Sequence, residues 1–410
     1  MIIHRSDINR VLIGICISLV LFSSACLWNE KNLRNYIAVS FVSIFMCVLI
    51  WLVNGANINK AINNRYIIWI VVIYSIFEIY GLCFLRTSHF NWDFVLVSGV
   101  IQIALTLSIT TLDTYNDVID VFCTSCKWTL LLVCVYMYFQ GTIKLGNISF
   151  ATRLGDELSG NVNTVATALG IMLIPTFYLL FIKKKKVSTI IICAIAVVCM
   201  LLTGSKKGLL VLAIMLIMYF WINQKPIKYL ILPLGLIMGI YAIFNVPFLY
   251  NTIGFRVIDA LATLGFGTSV TGAQSTAIRN DYIKMGMESF LNVPVFGGGM
   301  NYFQFINNAR YYAHNNYVEM LNDFGLVGTL IYYVPSIKAG KFIMDNIRFK
   351  KNIFPRELSI FVILYISTKL ILDYAMVSFS ALCIFYIPFL IPAEIYRRRY
   401  EQDEQNTYDT

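Results

Sequence analysis

Three histidines occur in the chain, and His314 stands where a long polar stretch gives way to an apolar pattern of helical spacing (Tyr317, Met320, Leu321, Phe324). With a reference pKa of about 6.5, an imidazole can take a proton from a hydroxyl near neutral pH. A histidine on its own is more often a hydrogen-bonded structural residue, so both readings stand at this point. Asn315 follows it directly, and Glu319, five residues on, either orients the imidazole or stays solvated. Arg279 lies upstream in Ile278-Arg279-Asn280-Asp281. Its guanidinium is permanently charged and grips phosphate through two parallel N–H bonds, unless it simply pairs with Asp281. Two cations, Lys206 and Lys207, sit in the short turn Thr203-Gly204-Ser205-Lys206-Lys207-Gly208 between two apolar runs. They read either as snorkelling lysines or as an anion site, with a helix N-terminus at Gly208 adding N–H groups and a positive dipole end. Arg153 and Arg256 are further arginines in polar segments.

A second group of residues breaks the apolar pattern without suggesting a reaction. Glu78 falls inside an apolar run, as do Lys369 and Asp373, and intramembrane charges are functional candidates by default. The last two are four apart on one helix face and can pair. Cys123 and Cys126 form a lone CxxC with no second pair, a weak metal or redox signal. The other cysteines are scattered mostly through apolar runs, where thiols behave as small hydrophobes.

The elements that must position these residues are membrane helices. Of 410 residues, 58% are hydrophobic and 13% charged, and the mean hydropathy is +0.71. No soluble globule hides that much apolar side chain, whereas a spanning helix needs about 20 mostly apolar residues. Apolar runs fall near 11–28, 36–53, 66–85, 94–112, 118–140, 162–182, 187–203, 208–222, 229–248, 323–337, 357–373 and 376–396. The fifth has a start diluted by Asp117, Asp120 and Lys127, and the eighth and tenth are short. The expected fold is all-α and polytopic, with about twelve transmembrane helices in a single integral domain spanning residues 1–410.

Charge gives the orientation. The net charge is +10; basic loops that hold a membrane protein in place account for it, and nucleic acid need not be invoked. With the N-terminus inside, Lys60, Arg65, Lys127, the Lys183–Lys186 run, Lys225, Lys228, the Lys338–Arg356 cluster and the Arg397–Arg399 tail all fall on the cytoplasmic side. Roughly 20 of the 32 basic residues then lie inside, as the positive-inside rule expects. Both termini are cytoplasmic in this reading, with a tail at 397–410, and the first helix is retained, not cleaved as a signal peptide. The largest polar stretch, 249–322, becomes an extracytoplasmic loop, and loops of that length usually have a job. Lys206, Lys207, Arg279 and His314 then share the outer side.

The segment His314–Gly328 (HNNYVEMLNDFGLVG) resembles the signature of the O-antigen ligase/polymerase superfamily. Arg279 followed by Gly286, Phe290, Pro294 and Gly297-Gly298-Gly299 resembles that family's arginine, apolar helix and glycine-rich turn. Thr203–Leu210 (TGSKKGLL) resembles its basic turn between two spans, with Lys206 in place of the usual arginine; Arg153, Gly155, Asn161 and Asn163 resemble a fourth block. The resemblance implies a GT-C-like bacterial inner-membrane glycosyltransferase that uses a sugar carried on a polyprenyl diphosphate. In such an enzyme Arg279, Lys206, Lys207 and Arg153 bind the diphosphate and stabilise the charge that grows as the glycosyl bond breaks. His314 serves as base towards the acceptor hydroxyl, while Asn315, Glu319 and Arg256 support the site. Neither a metal nor an organic cofactor is required.

The leading function is a polymerase that joins lipid-linked repeat units into an O-antigen, capsular or exopolysaccharide chain with inversion. A ligase delivering a finished glycan to a final acceptor is the alternative within the class, and a lipid-linked oligosaccharide flippase the alternative outside it. The bilayer and the lipid-linked oligosaccharide are the expected partners, together with a chain-length regulator and a flippase; nucleic acid is not. Tyr302, Phe303, Gln304, Phe305, Asn307, Asn308, Tyr311 and Tyr312 are expected either to stack on and hydrogen-bond sugars or to form an interfacial belt.

Overall fold

The computed structural model describes residues 5–27, 32–56, 65–83, 92–112, 115–140, 162–182, 187–203, 205–222, 273–309, 312–348 and 355–374, with isolated positions between 234 and 258. These residues are helical, with no strand among them. In chain order the helices are α1 (Arg5–Phe22), prolonged by a π-helical turn (Ser23–Leu27), α2 (Leu33–Val53), α3 (Arg65–Cys83), α4 (Trp92–Ile109), α5 (Tyr115–Phe139), α6 (Val162–Ile182), α7 (Val187–Leu202), α8 (Lys206–Ile222), α9 (Ala273–Leu291), α10 (Tyr302–Asn307), α11 (Asn316–Arg348) and α12 (Arg356–Asp373). Ten of the apolar runs coincide with described helices. The ninth and twelfth fall largely or wholly outside the described residues.

Among the described residues, three helices are long and apolar enough to cross a membrane: Ser6–Leu27, Arg34–Val53 and Asp117–Phe139. Shorter apolar stretches lie in α3, α4, α6, α7 and α8. The chain is a membrane protein: α2 carries its apolar bulk outward, with Phe41, Phe45 and Val53 exposed, as a lipid-facing helix must.

α1, α5 and α6 form the middle of the bundle, α2, α3 and α4 pack to one side and α7, α8 and α12 to the other, while α11 packs against both α12 and α3, where Trp69 Nε1 donates to the Ile331 carbonyl at 2.6 Å. Contacts between α1 and α5 are close because Ser125 donates to the Gly14 carbonyl at 3.0 Å while still bonding its own helix through Val121. Arg10 pairs with Asp117 at 2.8 Å, so the starts of α1 and α5 lie level and the two helices run parallel. The dilution of the fifth run by Asp117 is therefore an ion pair at a helix start. Lys127, expected in a cytoplasmic segment, is instead a buried residue midway along α5, with its ammonium on Ser188 Oγ at 3.0 Å. The helix tolerates it because a hydroxyl of α7 satisfies it and the Trp128 ring lies 4.7 Å away. The described cysteines are free and buried, Cys123 and Cys126 included.

Lys369 and Asp373 do pair, at 2.6 Å, and both are buried. The pair is wired onward: Tyr333 donates to Asp373 Oδ2 at 2.9 Å and Asn316 donates to the Tyr333 hydroxyl at 2.7 Å. Asn316 and Tyr333 belong to the two halves of α11, on either side of a break at Gly325, so this chain of bonds holds the halves against each other and against α12. Breaking a buried pair leaves one uncompensated charge, so Lys369→Met is expected to cost about 3–5 kcal/mol. Adding Asp373→Leu should recover part of the loss, and thermal unfolding of the detergent-solubilised variants checks both.

A candidate glycosyl-transfer site on α9 and α11

Two helices and the turn between them build the site. α9 and the first half of α11 run side by side in the same direction: Asn322 donates to the Gly286 carbonyl at 2.8 Å, and a Cβ on Gly286 would lie 2.4 Å from Val318 Cγ1. Only glycine permits that approach. The chain returns between them through the turn 292–299 and α10. α11 itself is broken at Gly325, whose φ of 64° and ψ of −166° are not helical. The turn fills the break. Leu326 and Val327 N–H donate to the Pro294 and Val295 carbonyls at 2.9 and 3.1 Å, and Gly298 and Gly299 N–H donate to the Asn322 and Asp323 carbonyls at 2.8 and 3.0 Å. The backbone groups that the kink frees are thus satisfied by the glycine turn, as buried groups must be.

The N-terminus of α11 is capped by Asn315. Its Oδ1 accepts the N–H groups of Tyr317 and Val318 at 3.0 and 3.2 Å, which satisfies two of the unpaired donors of a helix start. Glu319 is buried and accepts the Ala313 N–H at 2.9 Å. It is therefore not solvated; it clamps the backbone immediately before His314. Burial raises its carboxyl pKa to about 7, against the opposing pull of the Ala313 N–H. A carboxyl whose folded pKa lies above its unfolded value destabilises the fold as pH rises between the two. Thermal stability should therefore fall as pH rises from about 4.5 to about 7, and Glu319→Gln should flatten that decline in a pH series of melting curves.

These clamps hold His314 in a left-handed conformation (φ 57°), which histidine adopts more readily than bulky residues but which still carries strain. Its imidazole lies over Tyr282 of α9, with centroids 6.0 Å apart and planes 12° from parallel, and Tyr312 packs on it at 4.6 Å. Arg279 is one turn before Tyr282 and exposed, on the adjoining part of α9. Burial raises the Tyr312 phenol pKa; the Arg279 guanidinium opposes the shift and the Glu319 carboxylate adds to it. Both charges are thus within electrostatic reach of one hydroxyl beside His314. Among the described residues Arg279 makes no ion pair with Asp281.

The structure therefore brings Arg279, His314, Asn315 and Glu319 into one neighbourhood. Arg153, Arg256 and the side chains of Lys206 and Lys207 lie outside the described residues, although the backbone starts α8 at Lys206, two residues before the expected Gly208. Tyr302 and Phe303, expected to be able to touch sugar, are buried; Phe303 packs with Ala313, Val318 and Tyr282 as the core of the site. Tyr311 lies outside the described residues. Tyr282 was legible one helical turn from Arg279, but nothing in the sequence tied α9 to His314. Asn316 and Asp323 were passed over as parts of a motif, though Asp323 Oδ1 accepts the Tyr302 N–H at 3.1 Å and so anchors α10.

Residues 190–333 match a family model described as O-Antigen ligase. This segment belongs to the O-antigen ligase family. The match covers about a third of the chain and includes Lys206, Lys207, Arg256, Arg279 and His314; Arg153 and the Lys369–Asp373 pair lie outside it. No curated protein matches the chain. An O-antigen ligase-type assignment points to an enzyme of the glycosyltransferase kind working on lipid-linked glycans in a membrane, and lends nothing to the flippase alternative.

Proposed function

We propose that this protein is a repeat-unit polymerase of a bacterial inner membrane. It would join polyprenyl-diphosphate-linked oligosaccharides into an O-antigen, capsular or exopolysaccharide chain on the extracytoplasmic face. The observation that carries the reading is His314 stacked on Tyr282, one helical turn from Arg279, with Tyr312 both on the imidazole and within electrostatic reach of the guanidinium. A permanent cation and a proton acceptor then stand together on an exposed face, next to flat rings suited to sugar.

The donor arrives already activated, because its anomeric carbon is bonded to a diphosphate leaving group. The acceptor hydroxyl oxygen attacks that carbon from the opposite side, the carbon–oxygen bond to the diphosphate breaks, and its electron pair leaves with the diphosphate. Arg279 meets that growing charge, aided by Lys206, Lys207 and Arg153. His314 takes the hydroxyl proton. Back-side attack inverts the anomeric centre, so retention of the donor's configuration in the product would refute this step.

The twelve-span, GT-C-like architecture, cytoplasmic termini, the 249–322 extracytoplasmic loop, and association with a chain-length regulator and a flippase belong to the same reading. The bias of basic residues supports the orientation. The family description favours a second reading, a ligase that transfers a finished glycan. Deletion of the gene separates them. Loss of a polymerase leaves single repeats on the carrier or surface, whereas loss of a ligase leaves long chains stranded on the carrier.

A further inference from the structure

We infer that Asp373, held by Lys369, is a positioning residue for His314: through Tyr333 and Asn316 it fixes where the imidazole stands against the membrane bundle. The inference deepens the proposed reading and rests on it for what His314 does there.

The bonds nearest His314 set its shape but not its place. Glu319 accepts the Ala313 N–H, and Asn315 accepts those of Tyr317 and Val318. Every partner in those bonds lies between Ala313 and Glu319, so they would travel with the segment if it moved. The bonds that reach the bundle start from the next two residues. Asn316 Nδ2 donates to the Tyr333 hydroxyl at 2.7 Å, and the Tyr317 hydroxyl donates to the Leu370 carbonyl at 2.7 Å. The Tyr317 and Tyr333 rings lie 5.0 Å apart and 28° from parallel. Both routes end on the last turns of α12, between Lys369 and Asp373. The seam with α9 lies further along, where Val318 meets Gly286 and Asn322 donates to the Gly286 carbonyl. The first turn of α11 therefore depends on α12 for its position.

Asp373 governs this route because it sets the direction of the hydrogen bonds. Tyr333 donates its hydroxyl proton to Asp373 Oδ2 at 2.9 Å, which leaves the oxygen's lone pairs to the Asn316 amide. A carboxylate paired with an ammonium only accepts, and Lys369 Nζ donates to Asp373 Oδ1 at 2.6 Å. Asn316, Tyr333, Lys369 and Asp373 are all buried. The backing is firm: Asn346 of α11 donates to Ser359 Oγ of α12 at 3.0 Å, so the second half of α11 is bonded to α12 at both ends of their overlap. From the other side α3 supports the same place. Trp69 Nε1 donates to the Ile331 carbonyl at 2.6 Å, and Lys369 Nζ lies 5.6 Å from the centre of the Tyr332 ring. Stability alone does not call for these charges, since apolar residues of similar volume often replace a buried ion pair without loss. What apolar residues cannot supply is the acceptor for Tyr333. Lys369 and Asp373 lie beyond the segment matched by the family.

The test uses the full-length protein with His4→Gln and His89→Gln, which leaves His314 as the one histidine of the three. Labelling with [13Cε1]-histidine in detergent reports the ring-current shift that Tyr282 and Tyr312 impose on the imidazole. Transfer is assayed on polyprenyl-diphosphate-linked oligosaccharide extracted from cells lacking the gene. Tyr333→Phe keeps the ring and the Lys369–Asp373 pair and removes only the hydroxyl. It should move the imidazole resonance towards that of free histidine and lower kcat about 10–10²-fold with KM within about twofold, the signature of a misplaced group. Lys369→Met with Asp373→Leu should show the same two losses. Lys369→Met with Asp373→Asn keeps an oxygen for the Tyr333 hydroxyl and should rescue both. If the leucine double variant does not fold, Tyr333→Phe decides alone. An unmoved resonance in Tyr333→Phe would overturn the inference and leave the transferase reading in place. Equal losses in the leucine and asparagine doubles would also overturn it, since the charges and not the acceptor would then matter. A moved resonance with undiminished transfer would overturn the role of His314 itself, and the positioning role with it.

Discussion

Replacing His314 with asparagine is expected to slow glycosyl transfer by about 10²–10⁴-fold with little change in the amount of folded protein. Asparagine is the informative substitute because His314 sits at positive φ. Asparagine is favoured there, whereas alanine would add a backbone cost to the loss of the imidazole. Asparagine keeps a polar, planar end between Tyr282 and Tyr312 but cannot take a proton from the acceptor. Arg279→Ala should cost about 10²–10³-fold, the scale of removing one preorganised donor from a developing anion. Arg279→Lys should stay well below wild type, because lysine restores the charge without the fork. Exposure argues that these are losses of chemistry: Arg279 is a surface residue and His314 only half-buried, so neither holds up the core. Product length, measured at matched protein levels on extracted glycan, is the readout. Unshortened chains in both the His314 and the Arg279 variants would remove the proposed site.

The sequence made the helices legible and left their meeting points obscure, for a physical reason. Apolar runs are local, and a stretch such as 187–203 declares itself through composition alone; α7 occupies nearly those residues. Contacts between α9 and α11 are not local. Nothing in the polar composition of Ala273–Leu291 says that its Gly286 will touch Val318 or that Tyr282 will lie on His314. The charges show the same limit. Lys127 looked like a loop residue because a lysine in an apolar run costs energy unless something satisfies it, and Ser188 of another helix does so. Glu319 offered two roles in sequence and took a third, because the Ala313 N–H competes for its carboxylate. The order of Arg279, the glycine turn and His314 along the chain was visible; that the glycine turn serves as the missing hydrogen-bond partner of a broken helix was not.

That broken helix carries an expected effect on stability as large as that of the buried Lys369–Asp373 pair, and one that reaches the site as well. Gly325→Ala should destabilise the protein by about 3–5 kcal/mol, from a backbone region that is essentially confined to glycine together with a steric clash. At φ 64° and ψ −166° any side chain is strained, and a Cβ at this position would lie 2.3 Å from the Val295 carbonyl oxygen and 2.6 Å from the Gly297 nitrogen. Neither atom can yield alone, because Val295 accepts from Val327 and Gly297 donates to Val293. Relief would require the turn to withdraw, which strips the partners from Leu326, Val327, Asn322 and Asp323 at once and lets α11 straighten. Straightening carries Asn315 and His314 away from Tyr282, so the substitution should reduce transfer even at temperatures where the bundle stays folded. Gly340 supplies the control. It lies in the same helix with open space around its Cβ position, and Gly340→Ala should raise stability slightly through helix propensity. Melting temperature and transfer rate measured on the two alanine variants separate a general intolerance of α11 from the specific demand of its kink.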